Sequence, residues 1–227
     1  MTRRMWLAGL GAALGAGARS WEEPAFPNWS GQFVDRILTN SPWARAVTVP
    51  FVFQPRSERF VSGFGQIGAP RRTDWPPAGA ASAVRTEMYL TIRWSSALPV
   101  RQALALAQFG KDGLEHPVAR DLLSRAEPDY IVEIAGFPTT LFPNGTKELA
   151  NQFARSARLL IDGRPPSASP TAEIPEHGMH LTASLRFPRF GEIVPEGVIR
   201  VHAEVGSARI QQQFKLKTMI YRERLEL

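Results

Sequence analysis

Cysteine is absent from this sequence of 227 residues. Without a thiol there can be no disulfide, no thiolate metal site, no cysteine-ligated iron–sulfur cluster, no cysteine nucleophile and no lipidated cysteine. Histidine is scarce too, with four residues, so imidazole chemistry is confined to His116, His177, His180 and His202. No serine stands in G-x-S-x-G and no His-Glu-x-x-His occurs, which removes the recognisable serine-hydrolase and zinc-protease signatures. The carboxylates are too dispersed to nominate an acid/base pair. Long charge runs are missing: after residue 18 the only adjacent basic pair is Arg71-Arg72. Nucleic-acid binding needs a basic stripe interleaved with aromatics, so it is not expected. Nor is there an apolar run of the ~20 residues that a membrane-spanning helix requires.

What is present begins with an address label. Arg3 and Arg4 precede an apolar stretch from Met5 to about Leu14, followed by Ala16-Gly17-Ala18. That order of charged, apolar and small residues is the pattern of a cleavable export signal over 1–18, cut after Ala18. The paired arginines between Thr2 and Met5-Trp6-Leu7 resemble the twin-arginine type of signal, whose cargo crosses folded and often carries a cofactor. Removing 1–18 takes Arg3 and Arg4 with it and lowers the net charge from +6 to about +4. The expected location is therefore the periplasm or the exterior, with no permanent membrane anchor.

Residues 19–29 are interrupted by proline and read as an exposed leader before a single domain over 30–227. Ser30 is placed to cap a helix ending at Ser41-Pro42. Val47, Val49, Phe51 and Phe53 alternate as in a strand, and so do Met88, Leu90, Ile92 and Trp94. Helices are expected from Pro99 to Gly110, with Val100, Ala103, Leu104 and Ala107 on one face, from Pro117 to Ala126, and from Thr146 to Ile161. Residues 129–137 read as a strand. Three more alternating runs follow, Leu181–Phe187, Ile199–Val205 and Ile210–Leu216, the last two joined by a Gly206-Ser207 hairpin turn. Residues 54–82 and 162–178 are rich in proline, glycine and serine and read as mobile loops. The predicted fold is α+β: a mainly antiparallel sheet of about five or six strands with helices packed on one face and long Pro/Gly-rich insertions.

Three constellations bear on chemistry. Gly63-Phe64-Gly65-Gln66-Ile67-Gly68 satisfies G-x-G-x-x-G, but Pro70, Pro76 and Pro77 follow where a helix would have to hold a pyrophosphate, so the dinucleotide motif is rejected. His180, His202 and Glu204 fall on the polar faces of strands expected to be neighbours, and His177 could join them from the adjoining loop. Together they are the candidate ligands for a divalent metal, although polar residues are what any solvated sheet face carries. Among the tryptophans, Trp94 ends an apolar strand face and belongs to the core, whereas Trp75 lies in the long loop as a candidate contact residue.

Ser41-Pro42-Trp43-Ala44-Arg45, the run Ile92-Arg93-Trp94-Ser95-Ser96-Ala97-Leu98-Pro99-Val100-Arg101-Gln102-Ala103-Leu104, and the tail Phe214-Lys215-Leu216-Lys217-Thr218-Met219-Ile220-Tyr221 ending Leu225-Glu226-Leu227 resemble a group of uncharacterised exported proteins of soil-type bacteria, acidobacteria in particular. The resemblance covers most of 30–227 and implies export and a single domain. It carries no catalytic residue. The sequence therefore predicts a non-enzymatic interaction or structural module with no cofactor, whose partner is another exported protein or a cell-envelope component. The rival reading is a metal- or cofactor-containing exported enzyme built around His180, His202 and Glu204.

Overall fold

The computed structural model describes residues 21–22, 24–53, 84–142, 145–175, 180–191 and 193–227. The expected export signal, with Arg3, Arg4, Ala16 and Ala18, lies outside the described residues, as do the expected loop at 54–82, the G-x-G-x-x-G run, Trp75 and His177. No helix among the described residues is long and apolar enough to cross a membrane.

Helix α1 (Gly31–Thr39) leads into β1 (Asn40–Ser41) and β2 (Ala44–Phe53), then β3 (Val84–Trp94), α2 (Leu98–Phe109), α3 (Pro117–Ser124) and β4 (Asp129–Pro138). The second half holds α4 (Gly145–Ser156), β5 (Arg158–Ile161), β6 (Thr171–Glu173), β7 (His180–Pro188), β8 (Val198–Val205), β9 (Ala208–Lys215), β10 (Ile220–Tyr221) and β11 (Arg224–Leu225). The fold is α+β, built on a six-stranded sheet in the order β1-β2-β3-β4-β7-β6 whose pairings are all antiparallel. A second sheet has the order β5-β8-β9. The apolar sides of both sheets enter one core, in which Trp94 of the first sheet meets Phe214 of the second edge to face at 5.9 Å. Alternation along each strand makes this possible, because every second side chain of β7 and β8 is buried, as are Ala208, Ile210 and Phe214 of β9.

The helix ends show where local chemistry decides and where it yields. Ser30 Oγ accepts the Phe33 N–H at 3.2 Å, so α1 starts on the cap its sequence suggests. At α2, by contrast, the cap position falls to Ala97, because Ser96 Oγ accepts the Ile131 N–H instead. The missing acceptor comes from the far end of the chain: the Glu226 carboxylate accepts the Leu98 N–H at 3.0 Å, which also sets a negative charge at the positive end of the helix. The buried stripe of α2 is rotated from the expected one, with Leu106 buried and Ala107 exposed.

Three expectations are corrected. The helix read through to Ile161 stops at Ser156, and Arg158–Ile161 pairs with β8 as β5. The hairpin turn competes for the helix end: Ser156 Oγ donates to Glu204 O and accepts its N–H, while Gln152 Oε1 accepts the Gly206 N–H. The segment 162–178 is not loop throughout, since Thr171–Glu173 adds a short edge strand to β7. The stretch 19–29 is not simply exposed, since Trp29 is 4 % exposed and Trp21 stands edge-on to Trp43 at 6.3 Å. Aromatic area outweighs the prolines there.

The C-terminal residues are held under α2, where the buried Tyr221 hydroxyl donates to Gln102 Oε1 at 3.0 Å. Burial pushes the Tyr221 phenol above its ordinary value, against the pull of Arg222. A phenol that ionises later when folded contributes stability that is complete below about pH 10 and is lost as pH rises through the folded value. Urea unfolding between about pH 8 and 11 should show this alkaline loss, and Tyr221→Phe should flatten it. An unchanged slope in the variant would assign the loss to other groups.

Candidate functional site

The ligand candidates do not lie on neighbouring strands. β7 joins β4 and β6 in the first sheet, placing His180 opposite Pro138, whereas β8 lies between β5 and β9 and places His202 between Arg158 and Gln211. The expected antiparallel pairing of the two histidine strands is thus corrected. Periodicity assigns a side chain to a face but does not choose its partner strand. His202 and Glu204 do come together, Nε2 to Oε1 at 3.8 Å, and Arg209 Nε donates to the same carboxylate oxygen at 3.2 Å. Among the described residues no group of three or more His, Asp or Glu side chains is placed to hold a metal ion. His116 caps α3, its Nδ1 accepting the Val118 N–H at 3.3 Å while the ring stacks on Phe109.

What the second sheet presents outward is a ladder of polar rows. Arg158, His202 and Gln211 lie side by side across β5, β8 and β9, and the next row is Leu160, Arg200 and Gln213. Glu204 pairs across with Arg209, and Val198 with Lys215. Arg200 Nη2 is bridged to Asp162 at 2.6 Å, and Arg158 Nη1 donates to the main-chain Ala157 O at 2.6 Å. The face therefore carries Arg158, Arg200, Arg209 and Lys215 against the carboxylates of Glu204 and Asp162. Behind it Leu159, Val201, Ala203 and Ile210 are fully buried, so the polar groups stand on a rigid base.

At the rim of this face, a groove of about 460 Å³ lies where the edge strand of one sheet approaches that of the other. It is lined by Pro42, Arg45, Gln213, Phe214, Lys215 and Thr218, which comprise two cations and no acid. Searches against family models, curated proteins and solved structures find no match to this chain. The site is accordingly read from its own chemistry.

A second concentration of charge lies beside the first turn of α2. Arg101 Nη1 donates to the main-chain oxygens of Leu122 and Arg125, at 3.2 and 2.5 Å. Burial lowers its pKa, while Glu127 and Glu226 oppose the shift. Arg125 is paired with Glu127, and Arg189 lies over the Tyr130 ring at 4.6 Å while donating to Glu127 O. Main-chain carbonyls, an acid and an aromatic face occupy these arginines, so the cluster works as a clamp between α2, α3 and the strand ends.

The basic face was only partly legible beforehand. The alternation of β8 and β9 turns Arg200, Gln211, Gln213 and Lys215 outward. Arg158 belonged to a predicted helix, and nothing in its local sequence set it beside His202.

Proposed function

We propose that this chain is an exported, non-enzymatic interaction module that meets an acidic partner at the cell envelope or outside the cell. The observation that carries the reading is the outer face of β5-β8-β9, where four cations outnumber two carboxylates on a rigid, half-buried sheet. Export is supported by the charged, apolar and small-residue order of 1–18. Complementary charge of this kind speeds encounter and orients partners more than it deepens affinity.

The test uses poly-L-glutamate and polygalacturonate, two carboxylate polymers with different backbones, in a binding titration at ~0.15 M salt and again at ~1 M. Arg158→Gln, Arg200→Gln and Arg209→Gln combined should weaken the low-salt binding of both polymers at least ~10-fold. Combined Lys111→Gln, Arg120→Gln and Lys147→Gln, which removes as many cations at exposed positions elsewhere, should leave most of it. Equal losses would show that net charge alone is responsible, and the face reading would fall. It would fall as well if the purified chain catalysed a reaction that a substitution on this face abolished.

A further inference from the structure

We infer that the groove between Arg45 and Lys215 is a docking site for an extended acidic peptide segment, which deepens and rests on the reading of the basic face above. The inference starts from the edges of the two sheets. Among the described residues β9 pairs with β8 alone and is an edge of β5-β8-β9, and β2 is an edge of the larger sheet beyond its short pairing with β1. At one end the two edges are stapled, since Ser207 Oγ accepts the Val52 N–H at 2.7 Å and donates to Val52 O at 3.2 Å. At the other end the seam opens into the groove. β2 does not complete it, and Pro50 on that edge has no N–H to offer.

The edge of β9 is one-sided in its chemistry. The Leu216 N–H donates to Gly197 O at 3.1 Å, so the alternation of an antiparallel ladder turns the main-chain groups of 214 and 212 toward β8 and those of 213 and 215 toward the groove. Both groove-side carbonyls already accept from nearby side chains: Gln213 O from Gln212 Nε2 at 2.7 Å, and Lys215 O from Thr218 Oγ1 at 2.7 Å. This edge therefore presents N–H donors, repeated every second residue, ~6.6 Å apart. Alternate carbonyls of an extended peptide have the same spacing, which a polysaccharide does not reproduce.

The charges point the same way. Arg45 is oriented by the neutral Asn40 amide, Nη1 to Oδ1 at 2.9 Å, and faces Asn40 and Ile92 across its ladders. Lys215 faces Val198. Among the described residues no acid stands opposite either cation, so the two flank the donor edge with charge that a ligand carboxylate can meet in charge-assisted hydrogen bonds. Ordinary strand addition would need acceptors as well as donors on the edge. Here the acceptors are covered, which discourages pairing with a copy of β9 and favours a segment whose carbonyls and acidic side chains both point inward.

The probe is a fluorescein-labelled octaglutamate, with octaglutamine and tetragalacturonate as comparators, titrated against the full chain. Octaglutamate should bind, and Arg45→Gln with Lys215→Gln should weaken it at least ~10-fold, with an unchanged melting temperature showing that the variant folds. The charge reversal Lys215→Glu, at an exposed position, should weaken it further. Arg158→Gln with Arg200→Gln should weaken it less than the groove pair does, because Arg158 stands two strands in from the β9 edge and Arg200 is already bridged to Asp162. If octaglutamate binds but answers only to Arg158 and Arg200, the groove is wrong and the basic face stands. If tetragalacturonate binds as tightly and with the same residue dependence, the peptide assignment is overturned. If the long polymers fail to bind at all, the face reading falls first.

Discussion

Gly136→Ala is expected to destabilise the fold by about 3 kcal/mol or more, the sum of a strained backbone and a steric clash. Gly136 has φ +106°, a conformation that side chains rarely adopt, and a Cβ built there would lie 2.4 Å from the Tyr89 carbonyl oxygen. That contact is with backbone at the centre of the larger sheet, so no side-chain rotation relieves it. The residue occupies a β-bulge: β4 pairs Ala135 with Thr182 and then Phe137 with Leu181. Skipping one residue lets Val132, Ile134 and Phe137 all face the core, whereas strict alternation would turn Phe137 outward. Phe137 packs against Phe153 of α4 at 5.5 Å, so the bulge also seats that helix. Gly110→Ala is the comparator. It has φ +67°, but a Cβ at that position would meet nothing within 4 Å, so the substitution should cost the backbone strain alone, about 1–3 kcal/mol. Equal urea midpoints for the two variants would show that the close approach to Tyr89 contributes nothing.

The same strand shows why some of this fold could be read beforehand and some could not. Residues 129–137 announce a strand by their apolar run, but the bulge is invisible until β3 and β7 are placed on either side. The strictly alternating segments β3, β7, β8 and β9 and the Gly206-Ser207 turn are local patterns and appear where the sequence puts them. β5 failed because Leu149, Phe153, Ala157 and Leu160 continue a helical period. The hydrogen bonds of Ser156 and Gln152 with the β8–β9 hairpin, together with the pairing of Arg158–Ile161 with β8, end the helix early, a tertiary effect that overrides propensity. β6 failed because three residues are too few to show a period. The candidate site divides along the same line. That His202 and Glu204 share a face follows from their two-residue spacing, but His180 needs strand order, and its strand went to the other sheet. The groove needed more still, since Arg45 and Lys215 are 170 positions apart in the chain and meet only through the approach of two sheet edges.

Trp43→Ala is expected to cost about 3–5 kcal/mol, the range for emptying a buried tryptophan site. Trp43 is fully buried, stands edge-on to Trp21 and Tyr221, and receives the Trp94 N–H on its carbonyl at 2.9 Å. Its role extends beyond volume. The indole Nε1 donates to Glu226 O at 3.0 Å, and the Glu226 side chain caps α2 at Leu98. Loss of the indole should therefore release the tail and, with it, the helix cap. Trp43→Phe keeps most of the packing and removes the donor, for an expected loss of about 1–3 kcal/mol. Glu226→Gln keeps the main-chain acceptor and removes the capping charge, for about 1 kcal/mol. If the tail transmits the effect of the indole to the helix, the double variant should be less damaging than the sum of the singles by ~0.5 kcal/mol or more in denaturant unfolding. Strict additivity would mean that Trp43 acts through packing alone and that the cap on α2 holds without it. Coupling would explain how Ser41–Arg45, Ile92–Leu104 and the final residues, so far apart in sequence, operate as one structural unit beneath the groove.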